Sequence, residues 1–315
     1  MIFVKIVISA LIVITAAYLQ VNMHFFKAAF SRQKTSAQEN EREHEMLESI
    51  IPVQRATFER GKSWLEHTPY ESVVIKSTDS LTLCGKLYEQ GGATKTIILF
   101  HSFRSTAQTD FAPIAPFFYE MGLNVLLVDQ RAHGSSEGRY ICHGVKERYD
   151  CLEWIEFVRA RFGKDCEIYL GGIAMGATTV LMAAGLNLPK NVKGVIADTA
   201  FSSCRDVIYA QRDSRIWRRF VHYCIFPTLS VLCEWFGHFH PGKVTTVDAM
   251  KQNKTPILFI HAQNDGLIPE NMTCAAYDAC NAPKSIYLVP NAGHGLSYLS
   301  DEEECQRLVK KFLGA

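Results

Sequence analysis

The chain has 315 residues, of which 48% are hydrophobic and 21% charged. That is enough apolar material for one large domain or two small ones, and it excludes a disordered or low-complexity protein. The 33 basic and 32 acidic residues leave a formal net charge of +1, so bulk charge gives no reason to expect nucleic acid or an acidic polymer as partner.

The first segment, Ile2 to Leu19, is apolar except for Lys5, Ser9 and Thr15. It is just long enough for a bilayer core of about 30 Å, which needs about 20 helical residues. Lys5 lies near the end, where its stem can carry the ammonium to the headgroups. A cleavable signal peptide would look similar. Against it stand the lack of an Ala-x-Ala site and the apolar continuation from His24 through Phe30. Residues 1–30 are therefore read as an uncleaved transmembrane anchor. Lys27, Arg32 and Lys34 follow it, against Lys5 and the terminal amine before it, which places the remaining chain on the cytoplasmic side. The ten scattered cysteines contain no Cys-x-x-Cys pair and fit a reducing compartment, although an even number also permits bridges. Residues 31–64 are polar and read as a juxtamembrane linker or helix, and 65–315 as the domain.

Within that domain short β-branched runs mark strands at 72–75, 81–88, 96–101, 124–129, 167–171, 192–197, 257–261 and 285–289. Helical patterns are expected at 111–121, 145–162, 175–186, 271–280 and 302–312. The alternation implies an α/β fold with a mostly parallel eight-stranded sheet wrapped on both faces. The first two strands have no helix between them and should form an antiparallel hairpin at one edge. The segment from about 202 to 250 breaks the rhythm. Arginines at 212, 215, 218 and 219 precede Phe226, Leu229, Trp235 and Phe236. It reads as a helical lid over the carboxyl edge of the sheet, where ligands of such folds bind.

The chemistry is concentrated at that edge. Gly172-Ile-Ala174-Met175-Gly176 joins a strand to a helix and has the frame of the Gly-x-Ser-x-Gly nucleophile turn, with Ala174 at the nucleophile position. A plain Gly-rich turn would also read this way. Asp265 follows a later strand and His294 the next, in the order nucleophile, acid, base. His294 would accept the nucleophile's proton and Asp265 would hold its tautomer. An oxyanion hole is expected from the backbone N–H groups of Phe103, in the turn after the third strand, and of Met175. Ser102, Trp217, Phe226 and Trp235 are candidate substrate contacts. The loop from Asp129 to Gly138 reads as scaffold, with His133 structural. His238-Phe-His240 has no Cys or carboxylate partner at ligand spacing, so no metal is expected.

These residues resemble the α/β-hydrolase superfamily. The match is carried by His101, the Asp129–Gly138 loop, Gly172–Gly176, Asp198 with Phe201, His261–Pro269 and Gly293-His294-Gly295. More narrowly, the chain is similar to membrane-anchored bacterial serine hydrolases of the esterase and acyl-peptidase-like branch. The resemblance implies a Ser–His–Asp mechanism through an acyl-enzyme, with no metal or organic cofactor. Two residues depart from it: Ser102, where the family usually has Gly, and Ala174. Retention of every other part suggests an engineered Ser-to-Ala change that traps substrate or product. A natural pseudoenzyme that serves as a membrane-tethered binding protein is the alternative. The expected active form hydrolyses a carboxylic ester, an apolar acyl compound being the candidate substrate. An amidase or peptidase of the same mechanism is its rival.

Overall fold

The computed structural model describes residues 1–32, 47–48, 50–210 and 215–314, without the side chains of Arg215 and Arg218. Arg212 and residues 33–46 and 49 of the 31–64 linker lie outside the described residues. Eight strands form one sheet: β1 (Glu71–Lys76), β2 (Thr82–Tyr88), β3 (Lys95–Phe100), β4 (Leu123–Val128), β5 (Glu167–Ile173), β6 (Val192–Asp198), β7 (Ile257–Ala262) and β8 (Lys284–Val289). Their spatial order is β1-β2-β4-β3-β5-β6-β7-β8. β2 pairs antiparallel with both β1 and β4, and every other pairing is parallel.

The described helices are α1 (Ile2–Phe30), α2 (Pro52–His67), α3 (Ala107–Phe111), α4 (Ala115–Glu120), α5 (Glu147–Phe162), α6 (Met175–Ala184), α7 (Cys204–Ala210), α8 (Arg215–Phe220), α9 (Phe226–Leu232), α10 (Thr246–Gln252), α11 (Glu270–Ala279), α12 (Ser297–Ser300) and α13 (Glu302–Leu313). Short π-helical turns at Val221–Ile225 and Cys233–Gly237 follow α8 and α9.

Central strands are apolar at successive positions because both faces are covered. Ile98, Phe100, Leu126 and Val128 pack with α5, α6, α10 and α11, through Trp154, Val180, Met250 and Ala276. Their neighbours Ile97, Leu99, Val125 and Leu127 face α2, α3, α4 and α13, through Phe58, Phe111, Phe118 and Val309. The two-residue period of a strand thus builds two cores from one run.

The structure differs from the sequence reading in two elements. The helix expected over 111–121 is two short helices, because Pro113 brings no N–H to the turn between them. The final piece of the 202–250 segment, α10, packs against α6 and α11 as a crossover helix, so only the part before it covers the sheet edge. Thr245 starts α10 by accepting a hydrogen bond from Asp248 N–H at 3.0 Å.

The turn from β5 into α6 depends on close backbone approach. A Cβ on Gly176 would lie 1.8 Å from the Phe100 carbonyl oxygen, and one on Gly172 would lie 2.3 Å from the Gly176 carbonyl carbon. Gly176→Ala should therefore push α6 off β3 and cost about 3 kcal/mol, the upper end of ordinary overpacking. Chemical denaturation checks this: an unchanged midpoint would mean that the helix can move aside freely.

Candidate active site

The carboxyl ends of β5, β7 and β8 carry the three positions singled out in the sequence. Ala174 sits between β5 and α6 with φ 50° and ψ −107°. An L residue with such a backbone is strained, at a cost of about 1–3 kcal/mol, and a turn of this kind persists where the surroundings enforce it. Here they do. Ala174 N–H donates to the Asp198 carbonyl at 2.9 Å, and the glycines on both sides allow the tight crossing.

Asp265 and His294 are brought into direct contact. His294 Nδ1 donates to Asp265 Oδ2 at 2.7 Å. The other oxygen, Oδ1, accepts the backbone N–H groups of Leu267 and Ile268 at 2.7 and 2.8 Å. Burial works against the charge on Asp265, but the bond to His294 and these amides outweigh it and hold the carboxyl below its usual range. Asp265 is thus a fixed anion at neutral pH. Its partner carries a proton on Nδ1 and leaves Nε2 as the accepting nitrogen.

Asp198 links the elbow to the histidine loop. Its carbonyl accepts from Ala174, and its carboxylate accepts Ser297 Oγ at 2.7 Å and Thr199 Oγ1 at 2.9 Å. Full burial raises its pKa against those two hydrogen bonds, and His294 is within electrostatic reach of it. The three loops therefore converge on one corner of the sheet.

Phe103 lies in the turn after β3 and packs with Ala174 and Met175 in one apolar cluster that includes Phe201 and Ile268. The amides on either side of Phe103 are both held by side chains. Ser102 N–H donates to Asp110 Oδ2 at 2.6 Å, and Arg104 N–H donates to His133 Nε2 at 3.0 Å. Burial drives His133 well below its normal pKa, so its ring is neutral and accepts at that nitrogen. The direction of the Phe103 peptide is set from both sides. Met175 opens α6, where first-turn N–H groups have no partner within the helix.

The remaining candidates lie farther out. Ser102 is buried, its carbonyl accepting His101 Nδ1 at 2.7 Å. Trp217 packs on Phe25 of α1, Phe226 is buried beside Tyr209 in the lid, and Trp235 is exposed. Among these four, none belongs to the apolar cluster around Ala174. His238 and His240 line a separate cavity of about 620 Å³ with Arg131, Lys146 and Lys243. Among the described residues no group of three or more His, Cys, Asp or Glu side chains could hold a metal, and the ten cysteines are free thiols.

Sequence reasoning missed Asp110 and His143. Asp110 braces the turn through Ser102 N–H and Ser105 Oγ. Its one local signal is an acidic residue in the first turn of α3. His143 stacks on Phe103 at 5.0 Å and donates from Nε2 to the Ala29 carbonyl at 2.9 Å. Arg104 donates to the neighbouring Ala28 carbonyl at 2.5 Å. The last carbonyls of α1 are thus capped by side chains from beside the Phe103 turn.

Burial lowers the His143 pKa from 6.5 to about 4. A buried neutral histidine contributes stability that is present above the unfolded value and is lost as pH falls through the folded one. The foot of α1 should therefore loosen between pH 6.5 and 4. Hydrogen exchange at Ile141, whose N–H donates to Phe30 O at 2.7 Å, reads this directly. Protection that stays constant across that window would refute it.

A family model described as "alpha/beta hydrolase fold" matches residues 95–234. The esterase Pf2001 of Pyrococcus furiosus superposes with a TM-score of 0.61, covering 78% of this chain and 91% of that one at 22% identity. The chain has the α/β-hydrolase fold. Across 288 residues it is 25% identical to the "uncharacterized protein YqkD" of Bacillus subtilis (strain 168), covering 90% of this chain and 88% of that protein. It is 23% identical over 204 residues to the "lysophosphatidylserine lipase ABHD12" of Rattus norvegicus, covering 62% of this chain and 49% of that protein. Within that fold the corner at Ala174 is a strand-to-helix turn, and the segment after β6 is a helical insertion between β6 and β7.

Proposed function

We propose that the cleft is that of a serine hydrolase acting on carboxylic esters, with its nucleophile position occupied by Ala174. The observation that carries this reading is a strained, glycine-flanked elbow whose loop shares Asp198 with the loop of a half-buried Asp265–His294 pair. A bare methyl group has no use for that strain. With Ser at 174, His294 Nε2 would take the hydroxyl proton as the oxygen attacks the ester carbonyl. The Phe103 and Met175 amides would stabilise the oxyanion, and His294 would return the proton to the leaving alkoxide. Water would then release the acid by the same route. The steps need no metal or organic cofactor. Without the hydroxyl the sequence stops at the bound ester, so the chain retains binding and polarisation but forms no acyl-enzyme. This describes an inactive Ser-to-Ala form of a hydrolase.

The ester preference draws on the esterase and the lipase to which the chain is similar. Phe103, Phe201, Val207 and Ile268 pack in one apolar cluster with Ala174, and such surroundings favour an acyl substrate. α1 is long and apolar enough to cross a membrane, with mean hydropathy 2.5 over its best window. We read it as an anchor that leaves the domain on the cytoplasmic side. A panel of a short activated ester, a thioester and an anilide, given to the Ala174→Ser variant, tests the substrate class. Turnover of the ester with none of the anilide is expected, and a preference for the anilide would establish the amidase reading. Silence on all three would favour a protein that only binds.

A further inference from the structure

The run from α8 through α9 to Gly237 touches α1 at three places. Its middle meets Tyr18, whose hydroxyl donates to the Cys224 carbonyl at 2.5 Å and lies 2.6 Å from Thr228 Oγ1. Its two ends meet α1 about two turns further on, at adjacent residues: Trp217 packs on Phe25 and Phe236 on Phe26. Two ends that return to one point while the middle lies about 10 Å away along α1 describe a bend around that helix. Pro227 and the π-helical turns at 221–225 and 233–237 supply the irregularity a bend requires. The apex, near 224–228, points along α1 toward its N-terminal half. The far end sits at the domain, where Phe26 and Phe30 are buried with Cys233 and Phe239, and the inward side chains Val221, Ile225 and Leu229 of the bend belong to the same cluster.

Length then decides what the apex meets. The apolar run Ile2–Leu19 has Tyr18, the first contact with this bend, at its domain-side end. A bilayer core of about 30 Å needs about 20 residues. A helix that crosses with that run in the bilayer core therefore brings the apex, which meets Tyr18, to the lipid boundary. The apex is suited to that place: Tyr223 is 69% exposed, Val231 48% and Phe220 43%. Exposed Arg219 stands beside them, within reach of lipid phosphates.

Resting on the reading of α1 as an anchor, we propose that the apex of the bent lid segment, Phe220 to Val231, is a second membrane-contacting element seated in the interface of the bilayer that α1 crosses. The lid would then stand in the membrane surface, and the cleft beneath it would receive amphiphilic esters from the lipid side. The lid's first helix, α7, already contributes Val207 and Ala210 to the cluster around Ala174.

The test uses the full chain in phosphatidylcholine vesicles that contain a phosphatidylcholine with a photoactivatable diazirine on its acyl chain. Irradiation and peptide mass spectrometry should place carbene adducts in residues 2–17 and again in 220–231. The double variant Tyr223→Glu/Val231→Glu should lower the second signal at least about fivefold and leave the first unchanged. Adducts in 2–17 without any in 220–231 would overturn the proposal and keep the anchor. Crosslinks from the apex to a second copy in place of lipid adducts would also overturn it. Absence of adducts from 2–17 would remove the anchor reading itself, and the proposal with it.

Discussion

Ala174→Ser should convert the chain into an esterase, raising the hydrolysis of a short activated ester by about 10⁴- to 10⁶-fold over the unchanged protein. The range follows from what loss of a nucleophile costs a complete triad, roughly 10⁶ in kcat, with a residual rate from binding and the oxyanion donors. The substitution adds one oxygen at a position whose backbone already holds the elbow geometry, φ 50° and ψ −107°. Stopped assays with a chromogenic acetate or butyrate would read the gain, and equal rates in both forms would show that the elbow does not present a nucleophile to the cleft. The increase should appear in kcat, because the methyl and the hydroxymethyl leave the apolar cluster around position 174 unchanged in its other members.

In that Ala174→Ser background, Asp265→Asn should remove most of the gain, lowering kcat by about 10⁴-fold with little change in KM. Asp265 is placed to do two things that an amide cannot. Its Oδ2 accepts from His294 Nδ1 at 2.7 Å, which keeps Nε2 free of a proton, and its negative charge stabilises the imidazolium formed at attack. Asn offers either an oxygen without the charge or a nitrogen that requires the other tautomer. The amides of Leu267 and Ile268, which donate to Oδ1, would still find an acceptor in the Asn oxygen and would favour the wrong rotamer toward His294. Steady-state kinetics with the same ester decide it. A drop of less than about tenfold would mean that His294 is oriented by something other than Asp265.

The fold was legible wherever local chemistry coincides with long-range structure. Strands buried on both faces are written as nearly continuous apolar runs, broken in Leu123–Val128 only at Asn124, so their positions agree with the sequence reading to within a residue or two. The antiparallel hairpin followed from the absence of a helix between β1 and β2. Gly172 and Gly176 announced the elbow because their spacing serves a backbone crossing that a side chain would block. Asp265 and His294 were legible from their place after successive strands. What could not be read depends on contacts between distant segments. Nothing near His143 indicates that it will cap the last turn of α1, more than a hundred residues earlier. The same holds for Trp217, which packs against Phe25 of α1. The lid's bend arises from Pro227 and two π-helical turns, which have no period of their own in the sequence. The break between α3 and α4 was marked by Pro113, but the flanking apolar residues suggested one continuous helix.

The coupling of α1 to the Phe103 turn gives the site a physical dependence on that helix. Ala28 and Ala29 hold Arg104 and His143, and those residues flank or stack on Phe103. A change in how α1 sits would be felt first at the peptide proposed to bind the oxyanion, a donor whose loss typically costs about 100- to 1,000-fold in rate.

The most direct measurement of the central claim is covalent labelling with a fluorophosphonate, followed by mapping of the modified peptide. The account predicts stoichiometric labelling of Ala174→Ser at position 174, none of the unchanged chain, and none of the variant that also carries His294→Ala. Labelling of the unchanged chain, or failure of Ala174→Ser to react while its fold is intact, would contradict it.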